Sequence, residues 1–239
     1  MNTIVEVKDF GMSFAGKEVI KSLTFDVKKG EIFGLLGSNG SGKTTTIRAL
    51  LGLYQPTHGE LLINGQKYTP DSSMIVGYLP EERGLYRKET VIDVMVYFGE
   101  LKGLKSPKSW SLKYLKKVGL EDKAGEKVEK LSSGQQQKVQ LGITIMQDPK
   151  LLILDEPTKG FDPVNRKLLM NIIDDLHKKG STILLITHYM DEVERLCDRA
   201  LLLKDGVAHA YGKISDIKKQ FKGKSLDNIF IEVYGGLDE

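Results

Sequence analysis

One glycine-rich segment, residues 37–44, constrains the fold of this chain more than any other feature. Its sequence, Gly-Ser-Asn-Gly-Ser-Gly-Lys-Thr, fits the pattern G-x-x-x-x-G-K-[ST]. It follows the apolar run Ile32–Leu36, which predicts a buried strand, and precedes residues 45–53, which predict a helix. Glycines in such a loop let backbone N–H groups converge on phosphate oxygens, and the helix N-terminus adds a positive dipole end. The segment therefore predicts a strand–loop–helix unit that binds phosphate groups.

Two side chains of this segment predict which phosphates are bound. Lys43 has the reach to contact the β- and γ-phosphates of a nucleoside triphosphate, and the Thr44 hydroxyl is a suitable Mg²⁺ ligand. A glycine-rich turn without a ligand is the alternative interpretation. The complete pattern, with a strand before it and a helix after it, favours the nucleotide site.

A second segment, residues 151–156, predicts the metal ligand and the base of a hydrolytic reaction. Four apolar residues predict a fully buried strand, which ends in Asp155 and Glu156. Acidic residues at the carboxyl end of such a strand face the crevice where α/β proteins bind ligands. Asp155 suits the outer coordination shell of Mg²⁺, and Glu156 suits a base that orients and activates water. Alone, the pair could be two solvated residues at a strand end, but the phosphate loop favours catalysis.

Hydropathy patterns predict an α/β chain with a helical insertion. Short apolar runs alternate with helical patterns, but residues 81–149 carry only apolar repeats at helical spacing. Strand-like runs flank this stretch at residues 74–79 and 151–155. The predicted division is a nucleotide-binding core at 1–80 and 150–222, a helical part at 81–149 and a short C-terminal tail at 223–239.

Composition excludes several classes of protein. Thirty-five Lys and Arg against 32 Asp and Glu give a net charge of +3, which is too small to indicate a nucleic-acid binder. The single cysteine, Cys197, cannot form a disulfide within the chain, so a reducing cytosol is expected. No apolar run approaches the ~18 residues of a membrane span, and residues 1–8 lack the apolar region of a signal peptide. The composition is that of a soluble globular protein.

A third motif, Leu131-Ser-Ser-Gly-Gln135, opens a helical segment between the two motifs above. As an isolated string it could be only a helix N-cap. Its order relative to the other motifs makes the chain resemble the ATP-binding-cassette (ABC) ATPases over nearly its whole length. The family signature is L-S-G-G-Q, and Ser133 stands here at its third position. A serine hydroxyl, glycine N–H groups and a helix N-terminus form an anion site, and in the family this site reaches the γ-phosphate held by the other subunit of a head-to-tail dimer.

Other elements of the family occur at matching positions. Gly160-Phe-Asp-Pro163 resembles the D-loop, which implies a cross-dimer role for Asp162. His188 resembles the switch histidine at the γ-phosphate, although a lone histidine after a strand is more often structural. Phe14 matches the aromatic that stacks on adenine, and it could equally be a core residue. Three other histidines are interpreted as surface or structural residues: His58, His177 and His209.

One position departs from the family pattern. The family usually has a glutamine after the strand at residues 74–79, where it links Mg²⁺ to the membrane partner, and Glu81 stands at that position here. A carboxylate can bind Mg²⁺ but cannot donate a hydrogen bond as an amide can. The resemblance implies that Glu81 keeps the location and the coupling role.

The resemblance implies a complete site and a fold. The catalytic residues are Lys43, Glu156 and His188, and the metal ligands are Thr44, Glu81 and Asp155. The expected fold is a P-loop NTPase (RecA-like) core with an N-terminal antiparallel β subdomain and an inserted α-helical subdomain. The ATP-contacting residues are Phe14, Gly37, Ser38, Asn39, Gly40, Ser41, Gly42, Lys43, Thr44, Thr45, Ser132, Ser133, Gly134, Gln135 and Asp162.

The function implied is ATP hydrolysis, with ATP and Mg²⁺ as cofactors, that drives transport through a separate integral membrane permease. The second partner is another copy of this chain or a paralogous ATPase, and the location is the cytoplasmic face of the cell membrane, as a peripheral subunit. Residues 225–235 and 77–84 are similar to ATPases of ABC-2-type exporters, which favours export.

Two other function classes remain as alternatives. The first is a soluble ABC ATPase that acts on nucleic acid or ribosomes. Relatives of that kind carry long coiled coils or two cassettes, whereas only a short stretch separates Lys43 from Leu131 here, and the chain has one cassette. The second is a nucleotide-sensing regulatory subunit, which the complete hydrolytic set disfavours. No nucleic-acid partner is expected.

Overall fold

The computed structural model describes residues 2–82 and 84–235, and its elements follow the hydropathy pattern of the sequence. Five-residue apolar runs form strands whose residues are all buried, as in Ile32–Leu36 and Thr182–Ile186. The strands are β1 Thr3–Phe14, β2 Lys17–Lys28, β3 Ile32–Leu36, β4 His58–Ile63, β5 Val76–Leu79, β6 Leu151–Asp155, β7 Thr182–Ile186, β8 Arg199–Lys204 and β9 Val207–Lys213. The α-helices are α1 Lys43–Leu50, α2 Val91–Leu101, α3 Pro107–Lys117, α4 Ser133–Ile145, α5 Pro163–Lys178, α6 Met190–Leu196, α7 Ile214–Gln220 and α8 Leu226–Tyr234.

The chain divides into two units. The first unit consists of Met1–Ser73 and Gly180–Glu239, and the second of Met74–Lys179. The division predicted from the sequence, with boundaries at residues 80, 150 and 222, stays a prediction. Residues 1, 83 and 236–239 of that scheme lie outside the described part of the chain.

The first unit contains a mixed sheet with the strand order β4-β1-β2-β9-β8-β3-β7. β1 pairs antiparallel with both β2 and β4, while β3 lies parallel to β7 and β8. The tight turn between β8 and β9 is formed by Asp205 and Gly206, which both have positive φ angles, 50° and 75°. This arrangement confirms the predicted α/β class and the antiparallel β-strands near the N-terminus.

The described residues of the second unit form a parallel pair of strands and the α-helices α2, α3, α4 and α5. β5 and β6 pair in register from Val76 with Leu151 to Leu79 with Leu154. Helices α2 and α3 confirm the helical spacing that was predicted within residues 81–149. The strand predicted at residues 74–79 is shorter than expected, because Pro70–Met74 forms a 3₁₀ turn and β5 begins only at Val76.

The C-terminal helix α8 packs on the first unit through one apolar face. Leu226, Ile229 and Val233 are buried in a cluster with Leu202 of β8, while Ile231 on the opposite face is 64% exposed. Backbone groups also fix the helix end, since the Lys204 ammonium donates to the Val233 carbonyl at 2.6 Å. The tail therefore contains a short amphipathic helix. Across residues 2–82 and 84–235, none of the helices has both the length and the hydropathy needed to cross a bilayer.

The two faces of α8 should respond differently to truncation. Ile229→Ala removes a side chain with no exposed surface and should lower the free energy of unfolding by about 2–5 kcal/mol. Ile231→Ala is the matched control on the same helix and should change it by less than about 0.5 kcal/mol. Urea denaturation followed by circular dichroism measures both. Equal effects of the two changes would contradict the packing of α8.

Candidate nucleotide-binding site

The phosphate-loop segment forms a closed turn around a buried lysine. Lys43 is 8% exposed, and its ammonium donates hydrogen bonds to the carbonyl oxygens of Gly37 at 2.7 Å and Ser38 at 3.0 Å. The loop leaves the carboxyl end of β3 and leads directly into α1, as predicted. The ammonium is thereby directed back into the loop, where the backbone N–H groups of the helix N-terminus also lie.

Two glycines give this loop its shape. Gly42 precedes α1 with φ at 105°, a conformation that favours glycine because L side chains rarely adopt it. A Cβ atom at Gly37 would lie 2.6 Å from the carbonyl oxygen of Leu203, which leaves no room for a side chain. The pattern of glycines in the motif therefore follows from backbone geometry as well as from ligand access.

The Ser41 hydroxyl is the feature of the loop that fits a phosphate ligand. Ser41 is 6% exposed, and its Oγ has no hydrogen-bond partner among the described residues. A buried polar group without a partner costs about 1–3 kcal/mol, so such groups are uncommon in folded proteins. A phosphate oxygen in the loop would supply the missing partner.

Two further predicted residues lie in the first unit. Phe14 ends β1, is 39% exposed, and contacts the Tyr54 ring edge-to-face with centroids 5.2 Å apart. His188 is exposed and follows β7, which is the parallel neighbour of β3. The phosphate loop and His188 therefore leave the same edge of this sheet. The position of Phe14 is that of a ring available for stacking, and its adenine contact stays a prediction.

The contacts that hold the His188 segment in place were not predicted from the sequence. The buried Thr187 hydroxyl donates to Glu192 Oε2 at 3.1 Å and accepts from the Tyr189 backbone N–H at 3.1 Å. Glu192 is itself only 1% exposed, which is unusual for a carboxylate. The sequence did carry two signals for this contact. A threonine, Thr187, stands next to His188, and an acidic residue, Glu192, follows about one helical turn later.

In the second unit, β6 delivers two buried carboxylates. Asp155 is 1% exposed and Glu156 is 7% exposed. Glu156 has φ at 49°, a left-handed conformation that is uncommon for residues other than glycine. The Lys159 N–H donates to the Glu156 carbonyl at 3.2 Å, which closes a tight turn after the strand. Non-glycine residues in this conformation concentrate at functional sites, which agrees with the predicted role of Glu156.

The signature segment begins α4 with a reciprocal capping box. Ser132 Oγ accepts from the Gln135 N–H at 3.3 Å, and Gln135 Oε1 accepts from the Ser132 N–H at 2.9 Å. The N-cap interpretation is therefore confirmed. The anion-site interpretation stays a prediction, for which the N–H groups of a helix N-terminus are suited. A Cβ atom on Gly134 would lie 3.1 Å from the Phe161 ring, so this segment packs closely on the predicted D-loop.

Asp162 begins α5 as its N-cap. Its Oδ1 accepts from the N–H groups of Val164 and Asn165, both at 2.9 Å. The hydrogen bond from the Asn165 backbone is the main cause that holds the pKa of Asp162 below its usual range. The carboxylate is therefore charged near neutral pH. Its predicted contact across a dimer stays a prediction.

Glu81 and Glu156 line one open pocket of about 420 Å³ in the second unit, together with Glu82, Gln137, Lys159 and Gly160. Glu81 Oε1 lies 2.6 Å from the Lys159 ammonium, an ion pair that the sequence interpretation did not foresee. No group of three or more histidine, cysteine or acidic side chains among the described residues is arranged to hold a metal by itself. Mg²⁺ in nucleotide sites is usually held by one or two carboxylates and the substrate phosphates, and the buried carboxylate of Asp155 is a donor of that kind.

Known proteins that are similar to this chain are ATP-binding proteins of ABC transporters. Residues 20–159 match the family model described as ABC transporter. An uncharacterised ABC transporter ATP-binding protein of Methanocaldococcus jannaschii is 45% identical over 95% of this chain and 85% of its own length. The Nod factor export ATP-binding protein I of Rhizobium etli is 34% identical over 98% of this chain and 74% of its own length.

A solved structure described as the ATP-binding subunit of an ABC transporter superposes on this chain with a TM-score of 0.88. It is 32% identical and covers 96% of this chain and 99% of its own. The expected P-loop NTPase fold is thereby confirmed.

The contact between the signature segment and Phe161 predicts that a branched side chain at position 134 destabilises the protein. Gly134→Val places a Cβ and two methyl groups against the Phe161 ring and should lower the free energy of unfolding by about 1–3 kcal/mol. Ser133→Val is the matched control, since Ser133 is exposed at the first position of α4 and should tolerate the change. Chemical denaturation measures the difference. A variant at position 134 as stable as its control would contradict this contact.

Proposed function

Because the chain belongs to the ABC transporter family, we propose that it energises the export of a substrate through a separate membrane subunit. ATP binding, and ATP hydrolysis coupled to transport, are the general activity of this family. The single observation that carries the assignment to this chain is the phosphate loop, with the buried Lys43 ammonium turned into it and a buried Ser41 hydroxyl that lacks a partner among the described residues.

In this proposal the loop residues bind the triphosphate. Lys43 stabilises charge on the β- and γ-phosphates, and the backbone N–H groups of residues 37–45 bind their oxygens. Phe14 stacks on the adenine ring. His188 contacts the γ-phosphate. The exposure of Phe14 and the position of His188 beyond β7 support these roles.

Mg²⁺ is the second cofactor in the proposal. The Thr44 hydroxyl, Asp155 and Glu81 would hold it, and the ion would neutralise charge on the phosphate groups. Glu156 orients the attacking water and accepts its proton. The support is the burial of both β6 carboxylates and the constrained backbone at Glu156.

The proposal includes a second ATPase subunit, either another copy of this chain or a paralogue. Ser132, Ser133, Gly134 and Gln135 would then contact the nucleotide of the partner subunit, and Asp162 would contact the partner across the dimer. The capped helix N-terminus of α4 supports this role because its N–H groups form an anion site. The charged state of Asp162 suits a polar contact across an interface.

The membrane partner and the direction of transport complete the proposal. The export-related name of the Rhizobium etli relative supports export, as does the tail helix α8, whose sequence resembles that of exporter ATPases. The chain would work at the cytoplasmic face of the membrane as a peripheral subunit, and the segment that starts at Glu81 would transmit movement to a permease.

Replacing the proposed base should separate binding from hydrolysis. Glu156→Gln keeps the shape of the side chain but cannot accept a proton, so ATP should still bind while turnover falls by a factor of about 10²–10⁴. Equilibrium ATP binding and phosphate release measure the two properties. Glu121→Gln, an exposed residue of the second unit, is the control and should hydrolyse ATP at the wild-type rate. Near-normal turnover of the Glu156 variant would refute the assignment of the base.

Co-purification tests the membrane partner. Tagged chain produced together with the membrane protein encoded nearest to it should copurify with that protein from detergent-solubilised membranes. Its ATPase rate should rise when the complex is reconstituted in lipid vesicles. Stimulation by nucleic acid or ribosomes in place of the membrane protein would favour the alternative function.

A further inference from the structure

The Glu81–Lys159 ion pair joins two segments of the second unit that are 78 positions apart in the sequence. Glu81 lies two residues beyond β5, and Lys159 lies in the turn beyond β6. The two atoms are 2.6 Å apart, and the side chains are 41% and 56% exposed. Because β5 and β6 are parallel neighbours, their following segments leave the same edge, and the ion pair links them there.

The pocket that contains this pair is strongly acidic. Glu81, Glu82 and Glu156 line it, and Lys159 is the cation among the described lining residues. Like charges this close repel one another, so a pocket with three carboxylates gains from a nearby ammonium. Lys159 therefore offsets charge in the part of the protein where Mg²⁺ is proposed to bind.

Lys159 is also part of the turn that holds Glu156. Its backbone N–H closes the turn on the Glu156 carbonyl, while its side chain reaches Glu81. Lys159 thus contacts Glu156, the proposed base, through its backbone, and Glu81 through its side chain. Glu81 stands where the family usually has a glutamine. A glutamine there would carry no charge and would need no ammonium partner.

We propose that Lys159 is a positioning residue that sets the Mg²⁺ affinity of the site by competing for the carboxylate of Glu81. The inference rests on the proposed function, in which Glu81 is a metal ligand. In the nucleotide-free protein, Lys159 holds Glu81 in the ion pair. To bind the metal, Glu81 must either leave the Lys159 ammonium or share its carboxylate oxygens between the ammonium and the metal. Both are less favourable than metal binding by a carboxylate without an ion pair.

The expected size of the effect follows from the exposure of the pair. Exposed ion pairs contribute about 0.2–1 kcal/mol, which corresponds to a factor of up to about five in an equilibrium constant. Lys159→Gln should therefore lower the Mg²⁺ concentration needed for half-maximal nucleotide binding about two- to five-fold. Lys159→Arg keeps the charge and should remain close to wild type.

The test is a double-mutant cycle read by nucleotide binding and not by turnover. Binding of a non-hydrolysable ATP analogue to the full chain is titrated with Mg²⁺ for wild type, Lys159→Gln, Glu81→Gln and the double variant. The proposal expects Lys159→Gln to shift the Mg²⁺ midpoint in the wild-type background and to shift it much less in the Glu81→Gln background. Lys117→Gln is the matched control, since Lys117 pairs with Asp175 in the same unit at similar exposure and should leave the midpoint unchanged.

A second measurement detects the ion pair without nucleotide or metal. Urea unfolding of the same four proteins in a chelating buffer should show a coupling between positions 81 and 159 that weakens at high salt. No coupling would overturn the proposal, and so would an Mg²⁺ midpoint that Lys159→Gln leaves unchanged or shifts equally in both backgrounds. Failure of the wild-type chain to bind the analogue would instead overturn the proposed function, and this inference with it.

Discussion

A buried ammonium group, that of Lys43, holds the phosphate loop of the first unit together. Burying a charge is unfavourable unless polar groups surround it, and the Gly37 and Ser38 carbonyls supply part of that environment for Lys43. The loop can curl back on the lysine because Gly37 lies against the Leu203 carbonyl and Gly42 adopts a left-handed conformation. The buried strands β3, β7 and β8 keep this loop at a fixed edge of the sheet. A nucleotide site is the natural outcome, since phosphate oxygens add the negative charge that the loop lacks.

In the second unit, local contacts stabilise negative charges in the way that carbonyl oxygens stabilise the positive charge of Lys43. There the strand ends deliver carboxylates, and two nearby acidic groups, Asp162 and Glu81, have a local stabilising contact. Asp162 accepts the N–H groups of α5, and Glu81 lies against the Lys159 ammonium. Glu156 is held by the backbone turn that Lys159 closes. Among the described residues these carboxylates form no complete cage for a divalent cation. That is the arrangement expected at a nucleotide site where the substrate supplies the remaining ligands.

The sequence predicted those features that depend on residues close together in the chain. The phosphate loop and the strand that ends in Asp155 each carry their geometry in a short pattern, and the structure has both. The register of β1 was not predicted, because its shifts against β2 and β4 break the alternation of buried and exposed residues that marks a regular strand. The Glu81–Lys159 pair was not predicted either, since a salt bridge between distant residues leaves no local pattern. Even the correct prediction that Ser132 begins a helix did not include the reciprocal bond from Gln135.

Ser133 departs from the family signature, and the structure shows how this position differs from the neighbouring Gly134. Ser133 is exposed at the first position of α4, where a serine side chain meets no steric barrier and the backbone is that of an ordinary helix. Gly134 is different, because a Cβ there would press on Phe161 of the segment that carries Asp162. Only Gly134 is restricted by a neighbouring ring, so a third-position serine keeps the capped helix N-terminus and its N–H groups intact. The proposed anion site would depend on the backbone and on the Ser132 cap, and the serine at position 133 alters neither.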